Sequence, residues 1–429
     1  MRNQPATYSL TSEQQIAFDR ICKIVDTDDP AAATLSGYAG TGKTTTLQHL
    51  VRRLGPEFSE TVVMAPTHKA AEVLGRKTDM AVTTVHSTLG LRPKPDGEGG
   101  YDFVQSHEGM KNFAWNSFLA IDEASMVPQE LYDILMDVQR QFNLSIVFSG
   151  DPAQLPPVNE NPSPALDHDG YKLEKIVRQE QDNPIIQTSM EVREASDAKR
   201  YSFTTDTVGD QGVEVVNGRE DLIALAYEAF DTDEYRENGD YARILAYRND
   251  VVNTYNRICR DLLYGETGEQ YIEGEWLVAT DPWYGSNGNK RAPVIQNSEE
   301  FVVRGKEPSS LYGFDTWLLE ISPEPDSDNI RYIEVLNRDE MGRYEAKLED
   351  LADKAKKTGD WEKYYDYKEH FAHVDYSYAM TTHKAQGSTF TKTFVDVEDI
   401  NTCPNYSEIA RLKYVAVTRA SERLVVLDT

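Results

Sequence analysis

The chain has 429 residues, long enough for two or more domains with separate cores, and its 44 Lys and Arg against 72 Asp and Glu give a formal charge of −28. That balance excludes a uniformly basic nucleic-acid binder, although the acidic runs Asp26 to Asp29, Asp231 to Asp240 and Glu320 to Asp328 lie in loop-like stretches while basic residues recur inside motifs. Cys22, Cys259 and Cys403 are too scattered for a disulfide framework or a C-x-x-C zinc site, and no apolar run reaches membrane-span length, so a soluble, cytosolic protein is expected.

Leu10 to Gln14 opens a helix whose apolar positions Ile16, Ile21, Ile24 and Val25 follow the helical period. Thr11 and Gln14 form a T-x-x-Q capping box, which by itself explains both residues; the functional alternative is that Gln14 hydrogen-bonds an adenine edge. Ala33 to Ser36 reads as a short buried strand entering Gly37-Tyr38-Ala39-Gly40-Thr41-Gly42-Lys43-Thr44, and Thr44 to Leu54 reads as the helix leaving it. This stretch fits the phosphate-cradle pattern G-x-x-x-x-G-K-[ST] at every fixed position. Small residues let successive backbone N–H groups curl around a phosphate, Lys43 reaches the β- and γ-phosphates as a point charge, and the Thr44 hydroxyl suits Mg²⁺. The helix start adds its positive end. ATP with Mg²⁺ is the expected ligand.

Thr61 to Ala65 is a second apolar strand, followed by Pro66-Thr67-His68-Lys69 and a helix through Ala70 to Leu74. Thr83 to Ser87, with His86, leads into a turn-rich segment from Pro93 to Gly100 and then the alternation of Tyr101 to Gln105, read as a β-hairpin excursion, with a disordered insert as the alternative. Phe118 to Ile121 is a buried strand delivering Asp122 and Glu123 at its C-terminal end, where ligands gather in open α/β sheets. Downstream of a phosphate loop, Asp122 is expected to hold Mg²⁺ and Glu123 to orient and deprotonate water. Leu144 to Phe148 is another strand, ending in Gly150-Asp151-Pro152-Ala153-Gln154, where prolines stiffen the loop and Gln154 suits sensing of a γ-phosphate.

Leu173 to Gln179, containing Arg178, is read as the start of a new unit, and a second α/β domain is placed at the strand Ile244 to Tyr247 and the helix carrying Val251, Val252, Tyr255 and Ile258. Between about Gly274 and Ser377 short strands broken by Gly, Pro, Asn and Asp suggest a small β-barrel insert, with a charged helical piece at Arg343 to His370. The α/β style returns with Thr381 to Gly387, the strand Thr393 to Val397, and Lys413 to Ala420 before a last strand, Leu424 to Leu427. With two α/β domains and one phosphate loop, Arg419 reads as an arginine finger.

Taken in this order, the motifs resemble those of superfamily 1 helicases of the 5′-to-3′ branch, above all the Dda-type phage helicases and more distantly the RecD-type. On that resemblance Gln14 is the Q motif, Gly37 to Thr45 motif I, Ala65 to Ala71 motif Ia, Asp122 to Ser125 motif II, Gly150 to Val158 motif III, His383 to Gly387 motif V and Val417 to Arg419 motif VI. It implies an α/β fold of two RecA-like parallel-sheet domains: 1–86 with 116–177, and 178–273 with 378–429. A hairpin excursion occupies 87–115, and 274–377 is an SH3-like barrel insert with a helical extension. The implied nucleotide contacts are Gln14, Gly37, Ala39, Gly40, Thr41, Gly42, Lys43, Thr44, Thr45, Gln386 and Gly387. Lys43, Asp122, Glu123, Gln154, Arg178 and Arg419 serve catalysis. The implied single-stranded DNA contacts are Pro66, Thr67, His68, His86, Thr382, His383 and Lys384, and Phe103 or Tyr101 is the strand-separating pin. The resemblance further implies a monomer acting on single-stranded and forked DNA, with single-strand-binding or replication proteins as partners, in the host cytoplasm if phage-encoded. The competing readings are a nucleotide-switched binding ATPase that does not unwind and a metabolic kinase; Glu123 and Gln154 favour water as phosphoryl acceptor over the latter.

Overall fold

The structure is a computed structural model that describes residues 9–26, 29–95, 101–105, 113–157, 160–177, 183–265, 268–285 and 293–428; the side chains of 92–95, 101–103 and 105 lie outside that description. The first sheet has the order β3-β2-β6-β7-β1-β8, all parallel, from β1 (Ala32–Gly37), β2 (Thr61–Ala65), β3 (Val82–Thr84), β6 (Phe118–Ile121), β7 (Ser145–Gly150) and β8 (Gly170–Leu173). Every residue of β6 and β7 is buried, as continuous apolar strands covered on both faces require. Side chains alternate between the faces: Leu119, Ile121, Ile146 and Phe148 pack with Leu131, Leu135 and Val138 of α5 (Gln129–Phe142). Phe118, Ala120 and Val147 pack on the other side with α1 (Ser12–Val25), α2 (Lys43–Leu54) and α3 (His68–Thr78). The short helix α4 (Val85–Thr88) follows β3.

The second sheet runs β17-β11-β18-β19-β10-β9, from β9 (Asp206–Val208), β10 (Gln211–Val216), β11 (Ala242–Ala246), β17 (Ala379–Thr381), β18 (Phe390–Asp396) and β19 (Ala420–Leu427). It is parallel except for the edge strand β9. One face carries α6 (Pro184–Glu194), α12 (Val397–Ile400) and α13 (Tyr406–Val417); the other carries α7 (Arg219–Phe230), α8 (Asp233–Glu237) and α9 (Asn249–Tyr264).

A third, antiparallel sheet has the order β15-β14-β13-β12-β16: β12 (Trp276–Ala279), β13 (Glu300–Leu311), β14 (Phe314–Ser322), β15 (Arg331–Leu336) and β16 (Val374–Tyr376). It curls until the Ala372 N–H donates to the Glu334 carbonyl at 2.8 Å, which brings the chain entering β16 back to β15. The charged helical piece expected at Arg343 to His370 is two helices, α10 (Met341–Thr358) and α11 (Glu362–Lys368), with Gly359 in the left-handed region between them.

Two sequence readings are corrected. Leu173 does not begin a new unit but ends β8, the edge strand beside β1; a short, half-polar edge strand lacks the apolar run that marks its central neighbours. The second sheet begins upstream of Ile244, at β9 and β10. The β-hairpin expected in the excursion is present as an antiparallel pair: β4 (Leu91–Pro95) pairs with β5 (Tyr101–Gln105) in an isolated two-stranded sheet, where a proline can turn its missing N–H outward.

Candidate nucleotide site and nucleic-acid track

The loop between β1 and α2 is shaped by close approaches. A Cβ on Gly37 would lie 2.7 Å from Thr41 Oγ1, and Gly42, at φ +81°, would set a Cβ against Gln14 Nε2. Gln14 donates from Nε2 to the Thr41 carbonyl at 3.0 Å and accepts the Thr11 N–H at 2.9 Å, so it caps α1 and buttresses the loop at once. Both ends of its amide thus have protein partners. Gly40 also has positive φ, Thr41 is buried, and Thr45 sits half-buried in the first turn of α2. Lys43 bends back, its Nζ donating to the Tyr38 carbonyl at 3.0 Å and lying 4.0 Å from Asp151 Oδ2.

The parallel pairing of β6 with β7 explains the acidic centre. Ser149 on β7 donates to Asp122 Oδ1 at 2.7 Å and the Glu123 N–H donates to the same oxygen at 3.0 Å, leaving Oδ2 facing the Thr44 hydroxyl at 3.4 Å. Two hard oxygens beside a phosphate loop suit Mg²⁺, which takes few protein ligands and fills the rest with water and phosphate. Glu123 occupies the left-handed region at φ +53°, an outlier of about 1–3 kcal/mol for a non-glycine residue, and its Oε2 is buried with no hydrogen-bond partner among the described residues. Burial, then the neighbouring Asp122, pushes its carboxyl up, while Arg419 and Lys43 oppose the rise. A carboxylate raised toward neutrality is a better proton acceptor.

The second sheet supplies the opposite wall. Arg419 is buried and donates to the carbonyls of Ser388 at 2.8 Å and Val415 at 3.1 Å and to Thr418 Oγ1 at 3.0 Å. Burial lowers its pKa, against the pull of Glu123, Tyr414 and Asp151, so its charge lies within reach of the acidic side of the cleft. Gln386 donates to the Leu155 carbonyl at 3.0 Å, and Gly387, at φ +79°, lets the chain pass where a Cβ would be 2.9 Å from the Ala70 Cβ. Gln154 is buried with Oε1 unpartnered among the described residues, and its carbonyl accepts from Arg411 at 2.5 Å. Arg178 lies outside the described residues.

Sequence reasoning assigned no role to Ser149, Asp151, Tyr414, Arg411 or Arg193. The Tyr414 hydroxyl accepts the Ala39 N–H at 2.9 Å and donates to Asp151 Oδ2 at 2.6 Å, and the Arg193 guanidinium lies 3.7 Å from the Tyr38 ring. No local pattern marks a contact formed by elements so far apart in the chain.

Of the expected nucleic-acid contacts, Thr67 caps α3, accepting the Ala70 N–H at 3.2 Å, and His68 is exposed beside it. His86 is half-buried, and burial together with nearby His68 lowers its pKa. An open groove runs past His68, Arg76, Thr83, Thr84 and Ser87. A second hollow, lined in part by Lys69, Asn253, Thr280 and Lys384, lies against α9 and the third sheet. His383 pairs with Glu408 at 3.0 Å and Lys384 is exposed. Two of the expected contacts are not at the surface: Pro66 is buried, and Thr382 is buried with its hydroxyl on the Ala246 carbonyl at 3.2 Å. The side chains of Tyr101 and Phe103 lie outside the described residues. Among the described residues no helix is long and apolar enough to cross a membrane.

Residues 9–209 match an AAA domain family and residues 376–427 the UvrD-like helicase C-terminal domain. The chain is 26% identical over 442 residues to the ATP-dependent DNA helicase dda of Enterobacteria phage T4, covering 96% of this chain and 97% of that one. It is 34% identical over 161 residues to the ATP-dependent RecD2 DNA helicase of Deinococcus radiodurans, a match spanning 36% of this chain and 21% of the relative. A solved structure of Pif1 helicases at forked double-stranded DNA shares the fold at a TM-score of 0.52 and 20% identity, covering 98% of this chain and 92% of that one.

Proposed function

We propose, from the premise that this chain belongs to the Dda-, Pif1- and RecD-like superfamily 1 helicases, that it translocates 5′ to 3′ on single-stranded DNA and unwinds duplexes by coupling ATP hydrolysis to movement of two RecA-like domains. The observation that carries the reading is the pair of walls at the phosphate loop: Lys43, Thr44, Asp122 and Glu123 on the first sheet, and on the second the buried Arg419, near enough for its charge to act on Glu123. The domains are taken as 1–86 with 116–177, and 178–273 with 378–429; the hairpin excursion is 87–115 and the barrel insert 274–377.

Lys43 and the loop amides bind the triphosphate, and Thr44 and Asp122 would hold Mg²⁺, which would supply neutralisation of phosphate charge. Glu123 takes the proton of the attacking water, Gln154 reads the terminal phosphate, and Arg178 and Arg419 answer the charge that develops on it. Thr67, His68 and His86 on one domain and His383 and Lys384 on the other form the strand track, so opening and closing of the cleft alternates their grip. Phe103, or Tyr101 in its place, is the wedge on which the last base pair stacks, a contact worth about 1–3 kcal/mol per base.

Tailed duplexes of each polarity, incubated with ATP, test the proposal. Unwinding confined to 5′-tailed duplex, and lost in Phe103→Ala while DNA-stimulated hydrolysis persists, is the expected result. ATP turnover indifferent to single-stranded DNA overturns the motor.

A further inference from the structure

Tyr414 belongs to none of the roles above, yet from a helix packed on the second sheet its side chain reaches the backbone of the phosphate loop itself. It stands on α13, 1% exposed, and its phenol oxygen accepts the Ala39 N–H at 2.9 Å. Its proton goes to Asp151 Oδ2 at 2.6 Å, the same oxygen that lies 4.0 Å from Lys43 Nζ. Asp151 is held in turn by the Ala153 N–H on Oδ1 at 2.9 Å. A second helix of the same sheet grips the loop too, for Arg193 on α6 covers the Tyr38 ring at 3.7 Å. The Tyr414 carbonyl accepts the Thr418 N–H at 3.0 Å at the helix end that carries Arg419.

The groups so engaged are the ones a triphosphate needs. A loop amide donates to a phosphate oxygen, and Lys43 must swing from Tyr38 and Asp151 to meet it. An anionic phosphate oxygen is a stronger acceptor than a neutral phenol, so it takes the Ala39 N–H and displaces the hydroxyl. We propose that Tyr414 is a positioning residue that competes with the nucleotide's terminal phosphate for the loop and, once displaced, passes phosphate occupancy through α13 to Arg419. The proposal rests on the reading of the loop as an ATP site. Its consequence is that the free protein holds nucleotide less tightly than its loop alone would, and that the cost of displacement is coupled to movement of the second domain.

The test is Tyr414→Phe, which keeps the ring and removes the competitor. Fluorescent ATP analogue is titrated without DNA, and KM and kcat for ATP are measured with and without single-stranded DNA. Analogue binding should tighten about fivefold, the factor corresponding to one neutral hydrogen bond, and KM should fall with it. The stimulation of kcat by DNA should shrink, an effect that a merely structural role would not pair with tighter binding. Thermal unfolding within about 2 °C of the parent shows that packing is kept. Unchanged or weaker binding in Tyr414→Phe overturns the proposal. Lys43→Ala separates the two readings: parent-like binding in that variant removes the ATP site itself, whereas weakened binding there with no gain in Tyr414→Phe removes the competition alone.

Discussion

A single methyl group at Gly42 probes the link between the first helix and the phosphate loop. At φ +81° an alanine costs about 1–2 kcal/mol of backbone strain, and its Cβ also collides with Gln14 Nε2. Moving that amide away breaks two bonds, Gln14 to the Thr41 carbonyl and Thr11 N–H to Gln14 Oε1, each worth about 1 kcal/mol. Gly42→Ala should therefore destabilise the protein by about 3–4 kcal/mol, and Gln14→Ala alone by about 2. In the double variant the amide is already gone and Val177 Cγ2, 3.3 Å from the added carbon, is the nearest neighbour left. The second change should then cost only the strain, leaving a coupling of about 2 kcal/mol. Urea unfolding of the four proteins measures it. Additivity within about 0.5 kcal/mol would refute the contact as the reason this position is glycine.

Three further outcomes are expected. Lys43→Ala should lose nucleotide affinity, whereas Glu123→Gln should still bind ATP while hydrolysis collapses by at least about a hundredfold, as removal of a general base implies; near-normal turnover would exclude Glu123 as the base. Lys384→Ala should lower the salt slope of single-strand binding by about 0.7, and an unchanged slope and affinity would move the strand track elsewhere. Lys413 is fully buried, donates to the Ala198 carbonyl at 2.8 Å, and burial pulls its ammonium from 10.5 down to about 8 despite Asp428 and Asp197. Between those two pH values the unfolded chain binds the extra proton, so stability rises with pH; below about 8 the folded chain bears the full penalty. Lys413→Met should flatten the rise in Tm across that window, and parallel curves for the two proteins would count against the assignment.

What could be read in advance was local. The strand, glycine loop and helix around Lys43 follow one another within a single stretch, and the apolar run Phe118 to Ile121 carries Asp122 and Glu123 at its end, so pattern alone located both. The curled antiparallel sheet was visible as a change of rhythm between Gly274 and Ser377, though the tight turn that divides its helical extension was not. The edge strand β8 was misread because four residues of mixed polarity, Gly170 to Leu173, hold no periodicity to count. Thr382 was named as a strand contact through the family resemblance alone; that it is buried with its hydroxyl on the Ala246 carbonyl is a matter of packing that no local pattern reports. Tyr414 and Asp151 are 263 positions apart, and Tyr414 and Ala39 are 375 apart. Sequence periodicity reports which face a residue presents to its own element. Which side chains meet across a cleft depends on how two separate sheets are set against each other, and that is a property of the tertiary structure alone.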